Sequence, residues 1–68
     1  MKNSIKVERA KNDLTQADLA RLAKVSRQTI NAIELGKYVP STLLALRMAR
    51  VFNTSVDDIF QLEEGDFE

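Results

Sequence analysis

Between Thr15 and Tyr38 the sequence TQADLARLAKVSRQTINAIELGKY carries the signals of two short helices with only three residues between them, so the two must pack against each other. Thr15 is a good N-cap, and Asp18 can reach back to the cap amide while its charge favours the positive helix end. A helix is therefore predicted to start at Gln16. Leu19, Ala20, Leu22 and Ala23 form one inward stripe about two turns long, with Asp18 and Arg21 outside. At Lys24-Val25-Ser26 the pattern stops and restarts, and Ser26 offers its hydroxyl to the amide of Gln28 or Thr29 as a second cap. Ile30 and Ile33 anchor the second helix, Ala32 keeps its profile slim, and Gly36 supplies the left-handed position that follows a helix end.

The outward face of that second helix is Arg27, Gln28, Asn31 and Ala32. Arg can donate twice to guanine, Gln or Asn can bond adenine bidentately, and an alanine methyl can touch the thymine methyl, so this face has a base-reading vocabulary. The motif is a helix-turn-helix spanning about residues 15–36. The spacing Gln16, Ala20, Val25, Ile30, Ile33, Glu34 resembles the phage Cro and repressor family of helix-turn-helix regulators, the xenobiotic-response-element type, over roughly Ile5 to Leu62. GKYVPSTLLALRMARVFNTSVDDIF is similar to the fourth and fifth helices of its short single-domain members, those of the cytolysin-operon repressor type. Lys24 departs from the pattern, because the family usually has Gly there; a non-glycine residue in a left-handed turn costs about 1 kcal/mol and adds a positive charge near DNA.

The resemblance implies an all-α, five-helix, lambda-repressor-like DNA-binding domain. A short β ribbon of Phe60 to Glu63 with Met1 to Asn3 is an open addition to it. It also implies a transcription regulator, a repressor in the first instance, that binds double-stranded DNA at a palindromic operator as a homodimer. Arg27, Gln28, Asn31 and Ala32 would read bases in the major groove, and Gln16, Ser26, Lys37, Tyr38 and Arg9 would hold the backbone. Lys37 and Tyr38 fit phosphate contacts as a flexible cation and a hydroxyl beside the recognition helix; a solvated loop Lys and a Tyr covering the core are the alternative. The family pairs a first-helix Arg with the Glu that closes the recognition helix, here Arg9 with Glu34. Two readings stay open: the pair orients Arg9 toward a phosphate, or it is a partly buried structural ion pair.

The remaining helices follow from the same signals. Ile5 to about Asn12 reads as the first helix with Ser4 as its cap, and Glu8 either leans outward or meets a cation. Leu14 packs. Pro40 ends a loop, Ser41 caps the fourth helix, and Ala45, Met48, Ala49 and Phe52 form its inward stripe. Ser55 with Asp58 repeats the capping pattern for a last short helix. Leu43, Leu44, Val51, Val56 and Phe60 exceed what these two helices can hide, and Leu46 adds to the surplus. We read the five as a homodimer interface, with Val56 facing outward; completion of the monomer core, or a grip on a different protein, are the competing readings.

Sixty-eight residues suit one domain with a small core, because a chain of this size buries only about 60% of its unfolded surface. Cys and His are absent, which removes disulfides, thiolate or imidazole metal ligation and His-based catalysis. No metal, cofactor or small-molecule ligand is expected. Asp57 and Asp58 are the only candidate acid-base pair, and capping explains them, so an enzyme is the least supported class. With no apolar run of about 20 residues and no signal-peptide core, the chain is expected in the cytoplasm, away from membranes. The formal charge is zero and the isoelectric point is near 6.2. Up to Val56, however, all ten Lys and Arg face four acids, and from Asp57 onward there are six acids and no base. Such asymmetry suits a basic face for a polyanion and an acidic end, about residues 61–68, that points away or shields it, or that is only solvated and frays.

Overall fold

The computed structural model describes residues 1–67, and its order is β1 (Lys2–Asn3), α1 (Ile5–Lys11), α2 (Gln16–Ala23), α3 (Arg27–Glu34), α4 (Thr42–Phe52), α5 (Val56–Ile59), β2 (Phe60–Gln61) and a final 3-10 turn (Glu64–Phe67). Five α-helices thus form among the described residues, and the chain ends pair. The ribbon is antiparallel, with Lys2 opposite Gln61 and Asn3 opposite Phe60, narrower than the four-residue strand the resemblance allows.

Side-chain caps start four of the helices. Thr15 Oγ1 accepts from the Asp18 amide at 3.0 Å and Asp18 Oδ2 accepts from the Thr15 amide at 3.0 Å, a complete capping box. Ser26 accepts from the Thr29 amide at 3.1 Å, Ser41 from Leu44 at 3.1 Å and Ser55 from Asp58 at 3.3 Å. Each hydroxyl satisfies an amide that the helix itself cannot reach. Ser4 is the exception and corrects the expectation for α1. Its amide is drawn to the Ile59 carbonyl at 2.7 Å, its hydroxyl turns toward Gln61, and Asn3 Oδ1 accepts from the Ile5 amide instead. At the helix ends, Lys24 closes α2 and Asn53 closes α4 in the left-handed region, and Gly36 follows α3 at φ +75°.

One core joins all the helices. Ile5, Leu19, Ala23, Ile30, Met48 and Ile59 are fully buried, and α2 packs against both α3 and α4. The stripe Ala45, Met48, Ala49 and Phe52 lies inside as its spacing predicts. Leu14, Val25, Val51, Val56 and Met1 pack on the edge of this core.

Several placements differ from expectation. Leu22 is exposed, because at about 100° per residue it sits roughly a sixth of a turn outside the arc of Leu19, Ala20 and Ala23. Leu44 is buried: four residues before Met48, it shares that face of α4, while Leu43 and Leu46 turn outward. Phe60 is buried as well, since the ribbon folds it against the core. Val56 is half-buried on the core edge rather than outward. Glu8 is buried with its carboxylate 3.1 Å from Lys11 Nζ, so it meets a cation. The acidic tail folds back where fraying was expected. Glu63 Oε1 and Asp66 Oδ2 lie 2.9 and 3.2 Å from the Met1 amine, and Asp66 Oδ2 also accepts from the Glu63 amide at 2.7 Å. Glu68, the last residue of that tail, lies outside the described residues.

Candidate nucleic-acid interface

The two faces of α3 differ in kind. Ile30 and Ile33 are buried, whereas Arg27, Gln28 and Asn31 are exposed and Ala32 is half-buried between them. The turn before α3 and the caps around it set this orientation. Val25 donates its amide to the Ala20 carbonyl at 3.0 Å, closing α2, and Ser26 then opens α3 two residues after Lys24. The Ser26 hydroxyl lies 2.9 Å from Thr29 Oγ1, so its capping role occupies it on the protein side.

Gln28 stands on a ridge between two shallow clefts. One is lined by Gln16, Arg27 and Asn31 with it, the other by Ser26, Thr29, Ala32 and Tyr38. Gln16 opens α2, and its Nε2 donates to Asn31 Oδ1 at 3.1 Å, which brings the start of α2 beside the outward face of α3. Lys37 follows Gly36, with its amide on the Ala32 carbonyl at 2.9 Å and its side chain exposed. Tyr38 is 52% exposed, so it serves the second cleft rather than covering the core. The four residues read as base contacts therefore line the two clefts together with Gln16, Ser26 and Tyr38, and Lys37 stands exposed just past the end of α3.

Arg9 is the one that does not join them. Its Nε and Nη2 donate to Glu34 at 2.8 and 3.2 Å and its Nη1 donates to the Leu14 carbonyl at 3.1 Å. The two side chains are only 15% and 10% exposed, so all three nitrogens are engaged inside the protein and the pair ties α1 to the end of α3. A two-bond guanidinium–carboxylate pair fixes orientation as well as distance. The structural reading of the pair is the one this geometry favours.

Asn3 is a positioning residue that sequence reasoning missed. Its Nδ2 donates to the Ile33 carbonyl at 3.0 Å and reaches the Glu34 carbonyl at 3.5 Å, so the first strand caps the far end of α3. No local signal marks a contact across thirty residues. At the near end of the motif, the Thr15 amide and then the Thr15 side chain hold the Asp18 carboxyl below its ordinary range. The anion stays in place at the start of α2 well into the acid range.

A second face is built on α4, α5 and the chain ends. Leu43 and Leu46 are exposed on the outer side of α4, and an apolar cleft beside them is lined by Val39, Pro40, Leu46 and Val56 together with Met1 and Phe60. Of the residues read as a dimer interface, Leu43 is on this surface, Val56 lines its cleft, Val51 packs half-buried against the core away from that cleft, and Leu44 and Phe60 belong to the core. Val39 and Leu46 were not among them.

With this geometry in view, residues 5–59 match the family model described as "Helix-turn-helix", and the chain belongs to that family. It is 52% identical over 66 residues to an uncharacterized HTH-type transcriptional regulator of Methanocaldococcus jannaschii, covering 97% of this chain and 100% of that one. It is 47% identical over 64 residues to the uncharacterized HTH-type transcriptional regulator YgzD of Bacillus subtilis, covering 94% of this chain and 97% of that protein. The solved structure of the clp gene regulator ClgR from Corynebacterium glutamicum superposes with a TM-score of 0.74 at 26% identity, over 79% of this chain and 57% of that one. No helix among the described residues is long and apolar enough to cross a membrane.

Proposed function

We propose that the protein is a sequence-specific DNA-binding transcription regulator that acts as a homodimer on a palindromic operator. The observation that carries this reading is the outward face of α3, where Arg27, Gln28 and Asn31 expose donors and acceptors beside the Ala32 methyl while Ile30 and Ile33 hold the helix to the core. Those groups match the edges that base pairs present in the major groove. Gln16, Lys37 and Tyr38 flank the face as backbone contacts, and Ser26 orients the helix start that would enter the groove.

The dimer reading rests on the second face. Exposed Leu43 and Leu46 next to the apolar cleft, with Val39 and Val56 in its lining, are the kind of continuous apolar surface that a soluble protein covers with a partner. A second copy is the occupant that suits a single reading helix, because two copies one turn of DNA apart double the sequence that is read. Occupying the operator excludes other proteins from it, so repression is the simplest outcome, and the chain would act in the cytoplasm.

Selection of bound sites from random duplexes, followed by sequencing, tests the reading as a whole. The expected consensus has two inverted half-sites with centres about 34 Å apart, one helical turn. Enrichment of a single unpaired half-site would remove the dimer, and no enrichment at all would remove sequence-specific binding.

A further inference from the structure

Four described residues have left-handed backbone, Asp13, Lys24, Gly36 and Asn53, with φ between +53° and +75°. Three of them are residue types that accept this conformation more readily: Gly has no Cβ, and the short polar side chains of Asp and Asn can bond to the local backbone. Lys24 has neither device. Its side chain is exposed, and its ammonium makes no hydrogen bond or ion pair among the described residues. The turn itself needs only positive φ, since the bonds that close α2 run between backbone groups, Lys24 amide to Arg21 carbonyl at 3.3 Å and Val25 amide to Ala20 carbonyl at 3.0 Å. Glycine makes the same closure without strain.

A residue kept in a disfavoured backbone conformation points to a role outside the fold. Lys24 is carried by the turn that delivers α3, two residues before the Ser26 cap and three before Arg27. We propose that Lys24 is a further DNA-backbone contact, a cation set against a phosphate at the entry of the recognition helix and retained at the expense of fold stability. The proposal rests on the DNA-binding reading above. A competing account places the ammonium at the C-terminus of α2 as a partner of the helix dipole, and it makes the opposite prediction for stability.

Lys24→Gly, Lys24→Asn and Lys24→Arg separate the accounts in the full chain. Thermal melts are compared with affinity for the selected operator and for a random duplex between about 50 and 200 mM salt. The Gly and Asn variants should melt higher than the parent, Gly by about 4 °C, because strain is relieved. Both should bind operator and random duplex more weakly by the same factor, with the slope of log affinity against log salt reduced by about one and base preferences unchanged. Lys24→Arg should keep the parental slope and melting temperature. A parental slope in the Gly and Asn variants overturns the phosphate contact. Lower melting in both variants overturns the proposal in favour of the helix dipole. A parent protein whose duplex binding shows no salt dependence overturns the DNA reading and this proposal together.

Discussion

The face of α3 and the face formed by α4, α5 and the chain ends are both exposed, yet they are opposites in chemistry and in construction. The first is one helix with exposed polar side chains, Arg27, Gln28 and Asn31, of which Asn31 already accepts from Gln16. The second is assembled from Met1, Val39, Leu46, Val56 and Phe60, which are far apart in sequence, and it offers almost only apolar surface. Exposed hydrogen-bonding groups stay comfortable in water, so their exposure alone asks for no partner; it is the residue types, Arg, Gln and Asn on one helix face, that suit base edges. Contiguous apolar surface is different, because water itself favours covering it. On the proposed reading, one face would gain selectivity from DNA, and the other would gain stability from a second copy.

The largest effects should come from the border between the second face and the core. Phe52→Glu puts a carboxylate into the core, which exceeds the few kcal/mol of stability a domain of this size holds, about 5 or less, and circular dichroism should show loss of helix. Val56→Glu, on the rim, should remain folded but sediment as a monomer and bind its operator weakly, since a two-fold contact meets the charge twice. A dimeric Val56→Glu variant would show that the second face is not the contact.

Next in size is the pair that anchors the first face. Glu34→Ala leaves the Arg9 guanidinium largely buried without its carboxylate and should cost about 3 kcal/mol in urea denaturation. A cost below about 1 kcal/mol would place the pair with ordinary surface bridges. Within the first face, Arg27→Ala should cost about 1 to 3 kcal/mol on the selected operator and much less on random duplex, while Lys37→Ala should weaken both alike. Equal losses for Arg27→Ala on the two duplexes would reduce the face to backbone contacts.

The smallest expected effect is acid sensitivity. Asp18 is held below its ordinary range first by the Thr15 amide, and Asp58 first by the Ser55 hydroxyl. A depressed folded pKa contributes stability that is fully present above the ordinary value near 3.8 and is lost as pH falls through the folded one. Urea midpoints should therefore drop between about pH 5 and pH 2, and Asp18→Asn should flatten part of that drop.

What could be read from the sequence was whatever is decided within a few residues. Thr15, Ser26, Ser41 and Ser55 cap amides three positions on, and Gly36 takes its left-handed turn, because these bonds close locally. The outward set on α3 followed from its helical period. Ser4 failed as a cap because Ile59, fifty-five residues away, claims its amide. Leu22 and Leu44 were misplaced for a related reason: on short helices rich in Leu, several arcs are apolar enough to face inward, and only contacts between distant elements choose among them; Phe60 was misplaced because it leaves α5 for a ribbon with the first strand. The Asn3 bond to α3 and the Met1 bond to the tail have no local precursor at all.

The ribbon at the chain ends has a consequence for operator geometry. Asn3 holds the far end of α3, its strand pairs with the segment that continues α5, and Arg9 ties α1 to that same end of α3. Only residues 35–41 separate the reading helix from α4, whose outer side carries the face assigned to the second copy, so the proposed dimer would act as a ruler with fixed marks. Such a ruler accepts one distance and one angular phase between half-sites. Each inserted base pair displaces a half-site by about 3.4 Å and rotates it around the duplex, so operator binding should fall when the spacing between half-sites is changed by one.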